Sequence, residues 1–284
     1  MVKLLLDSNV SRYTEFLSVT NVLTYINNRL EPVPCSKSDV FSSKNMTILD
    51  KRILMRILTI CMNTEDDNSF QDFYDKSFCE FLEAQNVPEN LIHYIIYAIS
   101  QGSKRMPYLE GVQRAQIFLS SLGRFGNSPF LWPLYGSSEL LQAYCRMCAI
   151  YGGIYYLNRG AESLVVNENF LCEGVMSNNM HLQSNHTIIS ASLAPASYCD
   201  STMLNFISRG ILITDRPLYS GAKPGISTFQ FPAEDQRNPI MVIELNSDTY
   251  SCPNGLCKSL NLQMLTYLGL GDKLRANKKI NIQL

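Results

Sequence analysis

The sequence predicts a mixed protein of the α+β or α/β class, in which a helical segment interrupts a strand-rich domain. Short apolar runs with β-branched and aromatic residues, separated by turn residues, occupy the first part and the last half of the chain. Between them, apolar residues recur at helical spacing in successive segments. With 284 residues, of which 46% are hydrophobic, the chain is long enough to bury a large core.

The first predicted element is a β-hairpin. Asn21–Ile26 and Leu30–Val33 flank a turn at Asn27-Asn28-Arg29, and a polar turn between two apolar runs favours a hairpin. Helices follow it. Thr47 and Asp50 form a capping-box-like helix start, with Asp in place of Glu. Three further helices are predicted at Phe70–Gln85, at Pro88–Ser100 with proline near its first turn, and at Leu109–Leu122 before Gly123.

After Gly123 the pattern changes again. Prolines at 129 and 133 predict an extended segment, because each fixes its own φ and restricts the residue before it. Glu139–Ile150 predicts a helix that ends at Gly152-Gly153. Ile154–Leu157 has the composition of a strand. Later strands are predicted at Ser163–Val166, His186–Ala191, Gly210–Thr214 and Ile240–Leu245. The predicted domains are therefore a strand-rich one at 1–36 and 124–284 and a helical one at 37–123.

Composition excludes several classes of protein. The formal net charge of −1 gives no support for a polyanion-binding surface, so nucleic acid is not expected as a partner. No stretch approaches the roughly twenty apolar residues of a transmembrane helix. Nine scattered cysteines and the absence of a signal-peptide pattern favour a reducing, cytosolic compartment.

Catalytic and metal-site patterns are weak. Cys145 and Cys148 have the spacing of redox and zinc motifs, but no second pair accompanies them, so packing is favoured. A tight turn accounts for the spacing of Cys252 and Cys257. No phosphate-binding loop of the GTPase type is present, and Gly269-Leu270-Gly271 lacks the third glycine of a dinucleotide fingerprint. The sequence thus predicts no cofactor, no metal and no catalytic group.

Residues Gly123–Arg159 resemble a signature block of the Rab escort protein and Rab GDP dissociation inhibitor family, carried by Trp132-Pro133-Leu134-Tyr135-Gly136, by the following helix and by Gly152-Gly153. Two residues depart from the family pattern: Ser138 replaces a glycine and Leu141 a proline. The resemblance implies that this block binds GDP-bound Rab GTPases. The implied contact residues are Glu139, Arg146 and Tyr156.

The escort branch is favoured by an upstream match. Asp39-Val40-Phe41 and Lys51-Arg52 resemble the escort protein, in which a phenylalanine and an arginine at this spacing dock the α subunit of Rab geranylgeranyltransferase. Dissociation inhibitors keep the basic pair but lack the phenylalanine. Phe41 and Arg52 are therefore the implied transferase-binding residues. An exposed aromatic anchor beside an arginine also suits an interface hot spot.

The resemblance further implies a fold and a ligand. It implies a flavoprotein-like domain of the FAD/NAD(P)-binding type, interrupted by a smaller all-helical domain that accepts the geranylgeranyl groups of the Rab client. Such a lipid gains about 0.8 kcal/mol for each CH₂ it buries, so it needs an apolar slot. The alternative is that these apolar helix faces form ordinary core. The candidate slot residues are Ile53, Leu54, Ile57, Leu58, Cys61, Leu91, Ile95 and Ile99.

The function implied by the resemblance is that of a non-catalytic escort in protein prenylation and vesicle transport. It would present GDP-bound Rab proteins to the transferase and chaperone the prenylated product to membranes, with transient peripheral membrane contact. The alternatives are a dissociation inhibitor that recycles Rab proteins and a flavin-dependent oxidoreductase. The family begins with a glycine-rich turn that precedes the region matched here, and residues after about 257 diverge. The sequence therefore predicts a truncated form without the family's N-terminal and C-terminal parts.

Overall fold

The computed structural model describes residues 2–35, 39–40, 46–63, 68–126, 128–169, 171–190, 193–195, 205–232 and 239–266. The chain divides into two compact units, one from Met1–Ala143 with Asn205–Leu284 and the other from Tyr144–Leu204. Each unit is described separately below. Both helices and sheets are present, so the mixed fold class is confirmed. The partition into domains 1–36 with 124–284 and 37–123 stays a prediction.

The first unit begins with helical turns and a hairpin. Helix α1 (Val2–Asp7) and a 3₁₀ turn (Val10–Tyr13) precede strand β1 (Phe16–Ser18). Strands β2 (Asn21–Ile26) and β3 (Arg29–Pro32) then form the predicted hairpin. Asn27 and Asn28 have φ values of 52° and 61°, and two left-handed residues are what a two-residue hairpin turn requires. The turn therefore needs no third residue, and β3 starts at Arg29.

Helix α2 (Ile48–Asn63) begins at the predicted cap. The Asp50 amide donates to Thr47 Oγ1 at 3.1 Å, and the Thr47 amide donates to Asp50 Oδ2 at 3.0 Å. These reciprocal bonds satisfy backbone donors that have no partner within the helix. The predicted capping box is confirmed.

The predicted single helix over Phe70–Gln85 is wrong. The chain instead forms a 3₁₀ segment (Asn68–Phe73) and then helix α3 (Phe78–Ala84). Ser77 and Glu80 make a capping box, in which the Ser77 amide donates to Glu80 Oε2 at 2.7 Å and the Glu80 amide to Ser77 Oγ at 3.2 Å. A cap at this position starts a new helix.

Two further helical segments complete the region. Helix α4 (Glu89–His93) continues directly as a π-helix (Tyr94–Ile99), all of whose residues are buried. Helix α5 (Tyr108–Ser121) follows. The predicted extents, Pro88–Ser100 and Leu109–Leu122, are close to these bounds, but the π-helical turn was not predicted. A glycine at 111 lets α5 approach α3, since a Cβ there would lie 2.7 Å from Phe78 Cβ.

The sheet of the first unit joins the hairpin to four later strands, β8 (Asn205–Thr214), β9 (Ser227–Phe231), β10 (Ile240–Leu245) and β11 (Cys257–Thr266). Its six strands lie in the order β3-β2-β9-β10-β11-β8. Neighbours are antiparallel except β2 with β9. A separate pair joins β1 to β4 (Leu131–Pro133), and a 3₁₀ turn (Ser247–Thr249) follows β10.

One apolar core connects the sheet with the helices. It contains Val22 from β2 and Ile243 from β10 together with Ile57, Phe81 and Ile96 from the helical segments. The predicted strands Gly210–Thr214 and Ile240–Leu245 lie within β8 and β10. Burial against one shared core fixes which face of each strand and helix points inward.

The second unit contains a three-stranded antiparallel sheet. Its strands are β5 (Ser163–Val166), β6 (Cys172–Ser177) and β7 (Met180–Gln183). Helix α6 (Ser138–Ile150) crosses the boundary between the residue ranges of the two units. The predicted strand Ser163–Val166 is confirmed.

Two predicted strands in this unit are wrong. Ile154–Leu157 is irregular and exposed, although its composition is that of a strand. Gly152 and Asn158 both have positive φ values, 84° and 58°, so turns close on either side of the segment. Within the described residues no strand pairs with it. Residues 186–190, the described part of His186–Ala191, are also not a strand.

Candidate binding surfaces

The first unit contains an apolar cavity of about 530 Å³. Helix α2, the π-helix and helix α5 form its walls, and the segment that follows β3 closes one side. A volume of this size lies in the range of small-molecule sites. The described lining residues are Val33, Pro34, Cys35, Val40, Met46, Leu54, Met55, Leu58, Thr59, Met62, Tyr94, Ile99, Phe118, Leu119, Leu122 and Gly123.

The polar groups of this lining are neutral or already bonded. The Tyr94 hydroxyl donates to Glu31 Oε2 at 2.6 Å, and the Thr59 hydroxyl donates to the Met55 carbonyl at 2.8 Å. Burial raises the pKa of the Cys35 thiol to about 12, with a smaller contribution from Asp39, so the thiol stays protonated at neutral pH. The cavity can therefore accept hydrocarbon, and its described lining offers no activated nucleophile.

The eight predicted slot residues separate into three groups. Leu54, Leu58 and Ile99 line the cavity. Ile57, Cys61, Leu91 and Ile95 are fully buried in the core, and Ile53 is partly buried against it. None of these five is among the described lining residues. The lipid-binding role of all eight stays a prediction.

Sequence reasoning missed the far wall of the cavity. Phe118 and Leu119 come from the end of α5 and Leu122 directly follows it, whereas Met55 and Met62 come from α2. The helical periodicity of α5 could have identified the first three as an apolar face. The methionines could also have indicated this wall in the sequence, because their flexible side chains suit surfaces that accept varied apolar ligands.

Of the two predicted transferase-binding residues, Arg52 lies on α2 and is exposed. Phe41 lies outside the described residues. Two neighbours of Arg52, Ile48 and Leu49, are 73% and 66% exposed. Ile48 lies one helical turn before Arg52 and shares its face. The first two turns of α2 thus combine exposed apolar side chains with a guanidinium group.

The signature block enters helix α6 through a constrained turn. Tyr135 and Gly136 have positive φ values of 66° and 96°. The Tyr135 amide donates to the Thr249 carbonyl at 2.9 Å, and its ring stacks on that of Tyr250 with centroids 5.3 Å apart. The Glu139 amide then donates to the Gly136 carbonyl at 3.1 Å. These contacts fix the start of α6.

Two of the three predicted Rab-binding residues lie on α6, and the third follows the helix. Glu139 is half-buried and Arg146 is exposed, both on α6. Seven residues separate them, which places them on one helix face about 10 Å apart along the axis. Tyr156 is 56% exposed in the irregular segment after the helix, where the Arg159 guanidinium lies 5.8 Å from its ring centroid.

The end of α6 explains why two glycines follow it. The Gly153 amide donates to the Cys148 carbonyl at 2.9 Å, which is the bond of a helix C-terminal cap. A Cβ on Gly153 would lie 2.9 Å from that same carbonyl oxygen. The Tyr155 hydroxyl donates to the Cys145 carbonyl at 3.2 Å. The chain therefore folds back along the last turn of the helix.

A second, polar cavity lies between the β2-β3 turn and helix α4. Lys104 and Glu89 form an ion pair across it at 2.5 Å. His93 Nε2 lies 2.9 Å from Thr24 Oγ1. Burial and, to a smaller extent, the charge of Lys104 lower the pKa of His93 to about 4. Glu31 and Glu89 act in the opposite direction but do not cancel this effect. His93 is therefore neutral at physiological pH.

The described residues contain no group of three or more His, Cys, Asp or Glu side chains arranged to hold a metal ion. No helix in this part of the chain combines the length and the hydropathy that a membrane span requires.

Comparison with known proteins decides the family. The sequence profile of the GDP dissociation inhibitor family matches residues 1–238. The chain belongs to this family. It is 39% identical over 261 residues to human "Rab proteins geranylgeranyltransferase component A 1" and 38% identical over 258 residues to mouse "Rab proteins geranylgeranyltransferase component A 2". The Drosophila melanogaster component A is 36% identical over 263 residues.

These family members are longer than the chain. The matches cover 89–90% of this chain but only 40%, 42% and 51% of the human, mouse and fly relatives. The chain thus spans about half or less of the length of the curated relatives it matches.

Solved structures agree on the fold. A Rab GDI from Plasmodium falciparum superimposes with a TM-score of 0.76 at 18% identity, covering 94% of this chain and 65% of that one. An oxidoreductase from Methanosarcina mazei superimposes with a TM-score of 0.57 at 13% identity, covering 88% and 61%. At these identities the likeness concerns architecture alone. It supports a fold shared by dissociation inhibitors and an oxidoreductase.

Proposed function

We propose that this protein is an escort of Rab GTPases in geranylgeranylation. It binds GDP-bound Rab proteins, presents them to Rab geranylgeranyltransferase and chaperones the prenylated product to membranes. The observation that carries the proposal is 36–39% identity, over about 90% of the chain, to proteins named as component A of that transferase. The protein works by binding in the cytosol, with transient contact at the membrane, and the partner enzyme performs the chemistry.

The apolar cavity is the proposed site for the geranylgeranyl group. Its volume of about 530 Å³ and its carbon-rich lining suit a branched hydrocarbon chain. Leu54, Leu58 and Ile99 contact the lipid directly in this proposal. The five other predicted residues support the helices from the core side. Most of the cavity lining lies in the predicted helical domain at 37–123, and Val33, Pro34 and Cys35 complete it from the preceding segment.

A polar substitution tests the lipid site. Leu58→Asn keeps the size of the side chain but places an amide in the cavity, where it lacks hydrogen-bond partners. Such a group costs about 1–3 kcal/mol, so affinity for a fluorescent geranylgeranylated peptide should fall about tenfold or more. Leu141→Asn, on the exposed face of α6, is the matched control and should bind normally. Equal affinity for wild type and Leu58→Asn would contradict the site.

Phe41 and Arg52 are the proposed contacts to the α subunit of the transferase. The exposed Ile48 and Leu49 beside Arg52 support this assignment, since interfaces combine apolar anchors with arginine. Glu139, Arg146 and Tyr156 are the proposed Rab contacts. Arg52 lies on α2, whereas Glu139 and Arg146 lie on α6, so substitutions should separate the two partners.

Calorimetric titration tests the whole assignment. The chain is titrated with a GDP-loaded Rab protein and, separately, with the transferase. Phe41→Ala and Arg52→Ala should each weaken transferase binding by about 2 kcal/mol and leave Rab binding unchanged, whereas Arg146→Ala should do the reverse. If Phe41→Ala and Arg52→Ala weaken both interactions equally, the docking assignment is wrong.

The second candidate is a Rab GDP dissociation inhibitor. The family profile favours it, and wild-type binding to Rab without any binding to the transferase would establish it. The oxidoreductase alternative rests only on the distant structural likeness. A purified chain with flavin absorbance would be needed to revive it.

A further inference from the structure

The polar cavity beside helix α4 is large enough for a small organic molecule. Its volume is about 510 Å³, which lies within the range of ligand sites. Its described lining comes from the end of β2 and the turn after it, from α4 and the π-helix, and from residues that follow the π-helix and β9. All of these residues belong to the first unit. The proposed escort function gives this cavity no role.

A tyrosine hydroxyl in this cavity lacks a hydrogen-bond partner. Tyr97 is 5% exposed, yet among the described residues no group bonds to its hydroxyl. A buried hydroxyl without a partner costs free energy, and a ligand that accepts its hydrogen bond would recover that cost. Burial raises the pKa of Tyr97, whereas the nearby charge of Lys104 acts in the opposite direction. The hydroxyl therefore stays a donor at neutral pH, close to an ammonium group.

The ion pair in the cavity shows which charge a ligand would have. Lys104 Nζ and Glu89 Oε1 lie 2.5 Å apart, and the side chains are 50% and 78% exposed. Exposed ion pairs contribute little free energy, so the carboxylate of Glu89 can be replaced on Lys104 by an anion from solution. A ligand cation would have to displace Lys104, the more buried of the two partners. The cavity thus favours an anion.

The remaining walls are flat or apolar. The ring centroids of His93 and Tyr97 lie 4.9 Å apart with their planes tilted by 56°, and Ile26 and Pro232 add apolar surface. Because His93 is neutral at physiological pH, these walls add no second charge beside Lys104. Such surfaces suit a flat carbon ring.

We propose that this polar cavity binds a small organic anion. The oxygens of its carboxylate or phosphate group accept hydrogen bonds from Lys104 and Tyr97, in the position that the Glu89 carboxylate otherwise occupies. Its carbon ring lies against the side chains of His93 and Tyr97. Carboxylate and phosphate share the chemistry that these two donors recognise, and the choice between them is made by titration.

Titrations of the full chain, followed by ligand-observed NMR, test the charge and the type of anion. The probes are benzoate, phenyl phosphate and, as the cationic control, benzylamine. At least one of the two anions should bind saturably, with a dissociation constant of about 1 mM, and benzylamine should bind at least tenfold more weakly. Tighter binding of benzoate would identify a carboxylate ligand, and tighter binding of phenyl phosphate a phosphate ligand. Absence of saturable binding for both anions, or tighter binding of benzylamine, would overturn the proposal.

Three variants test the assigned contacts with the anion that binds more tightly. Lys104→Met and Tyr97→Phe should each weaken its binding about tenfold, since each removes a hydrogen bond to a charged group. Glu89→Gln should instead tighten binding about threefold, because it removes the competing carboxylate. Lys223→Met, at an exposed lysine outside the described lining, is the matched control and should bind like wild type.

Thermal melts by circular dichroism check that every variant folds. Unchanged affinity in Lys104→Met or Tyr97→Phe, weaker binding in Glu89→Gln, or an equal loss in Lys223→Met would overturn the site. The opposite signs expected for Lys104→Met and Glu89→Gln distinguish a contact with the anion from a general effect of substitution on the cavity.

Discussion

A buried hydrogen bond between the sheet and the π-helix should be worth about 2 kcal/mol of stability. Tyr94, the first residue of the π-helix, donates its hydroxyl to Glu31 Oε2 at 2.6 Å. Glu31 lies on β3 and is 6% exposed. Its other carboxylate oxygen accepts from Arg29 Nε at 2.6 Å. The perturbation is Tyr94→Phe, which removes the donor and leaves the ring in place.

The magnitude follows from the charge and burial of the acceptor. Hydrogen bonds to ionised groups contribute about 1.5–3 kcal/mol, and leaving a buried acceptor unsatisfied adds to the loss. The Arg29 contact remains and limits the effect, so we expect a loss of about 2 kcal/mol in the free energy of unfolding. Burial first, and then the hydrogen bond to Glu31, raises the pKa of Tyr94. The hydroxyl therefore stays a donor throughout the neutral range.

The assay is urea unfolding of a double-mutant cycle. Tyr94→Phe, Glu31→Gln and the double variant should give a coupling energy of about 1.5 kcal/mol, since the two residues contact each other directly. Tyr97→Phe is the matched control: Tyr97 is on the same π-helix and lines the polar cavity, and no hydrogen bond of its hydroxyl is found among the described residues. It should cost less than about 0.5 kcal/mol. A coupling energy near zero, or equal losses for the two tyrosines, would refute the reasoning.

Two other predictions concern stability. Because burial lowers the pKa of His93 to about 4, its contribution to stability is complete above its ordinary pKa of about 6.5 and is lost as the pH falls toward 4. Partial exposure limits that contribution to about 1–2 kcal/mol. His93→Gln should remove this dependence of the free energy of urea unfolding on pH, whereas His186→Gln, at an exposed histidine, should leave it unchanged. If the free energy of unfolding of His93→Gln falls with pH as steeply as that of wild type, the assignment is wrong. Gly111→Ala should destabilise the protein by more than 1 kcal/mol, because the new Cβ would clash with Phe78. Alanine normally stabilises a helix relative to glycine, so a rise in the melting temperature would contradict the clash.

Local signals predicted the helix and hairpin starts well. Thr47 with Asp50, and Asn27 with Asn28, act through bonds and dihedral angles within a few residues, so the sequence contains all the information they need. The break before Phe78 was missed although Ser77 and Glu80 are the same kind of signal. The apolar residues on both sides of the break continue the same helical spacing and therefore hide it.

The π-helix could not be predicted for a different reason. Residues 94–99 are Tyr-Ile-Ile-Tyr-Ala-Ile, and every one of them is buried. Periodicity distinguishes helix types only when one face differs from the other. A segment buried on all sides has no such contrast, so its hydrogen-bond register depends on the elements packed around it.

The lining of the cavity also could not be predicted from the local sequence. Helix α2 has apolar residues on two adjacent faces. Leu54 and Leu58 point to the cavity, whereas Ile57 and Cys61 point to the core. Nothing in the local sequence distinguishes these faces, because the difference is made by α5, whose contacts with α2 are remote in sequence. Three of the predicted slot residues, Ile53, Ile57 and Cys61, fall outside the described lining for this reason.

The π-helix explains how one short segment serves two cavities and the sheet. A π-helix has i→i+5 hydrogen bonds and a wider turn than an α-helix, so residues five apart lie closer to one face than they would in an α-helix. Tyr94 and Ile99 have this spacing, and both line the apolar cavity. Tyr97, between them, lines the polar cavity. In an α-helical register Ile99 would rotate away from the face of Tyr94, and the cavity would lose one wall. The bond from Tyr94 to Glu31 therefore anchors the register on which the shape of the apolar cavity depends.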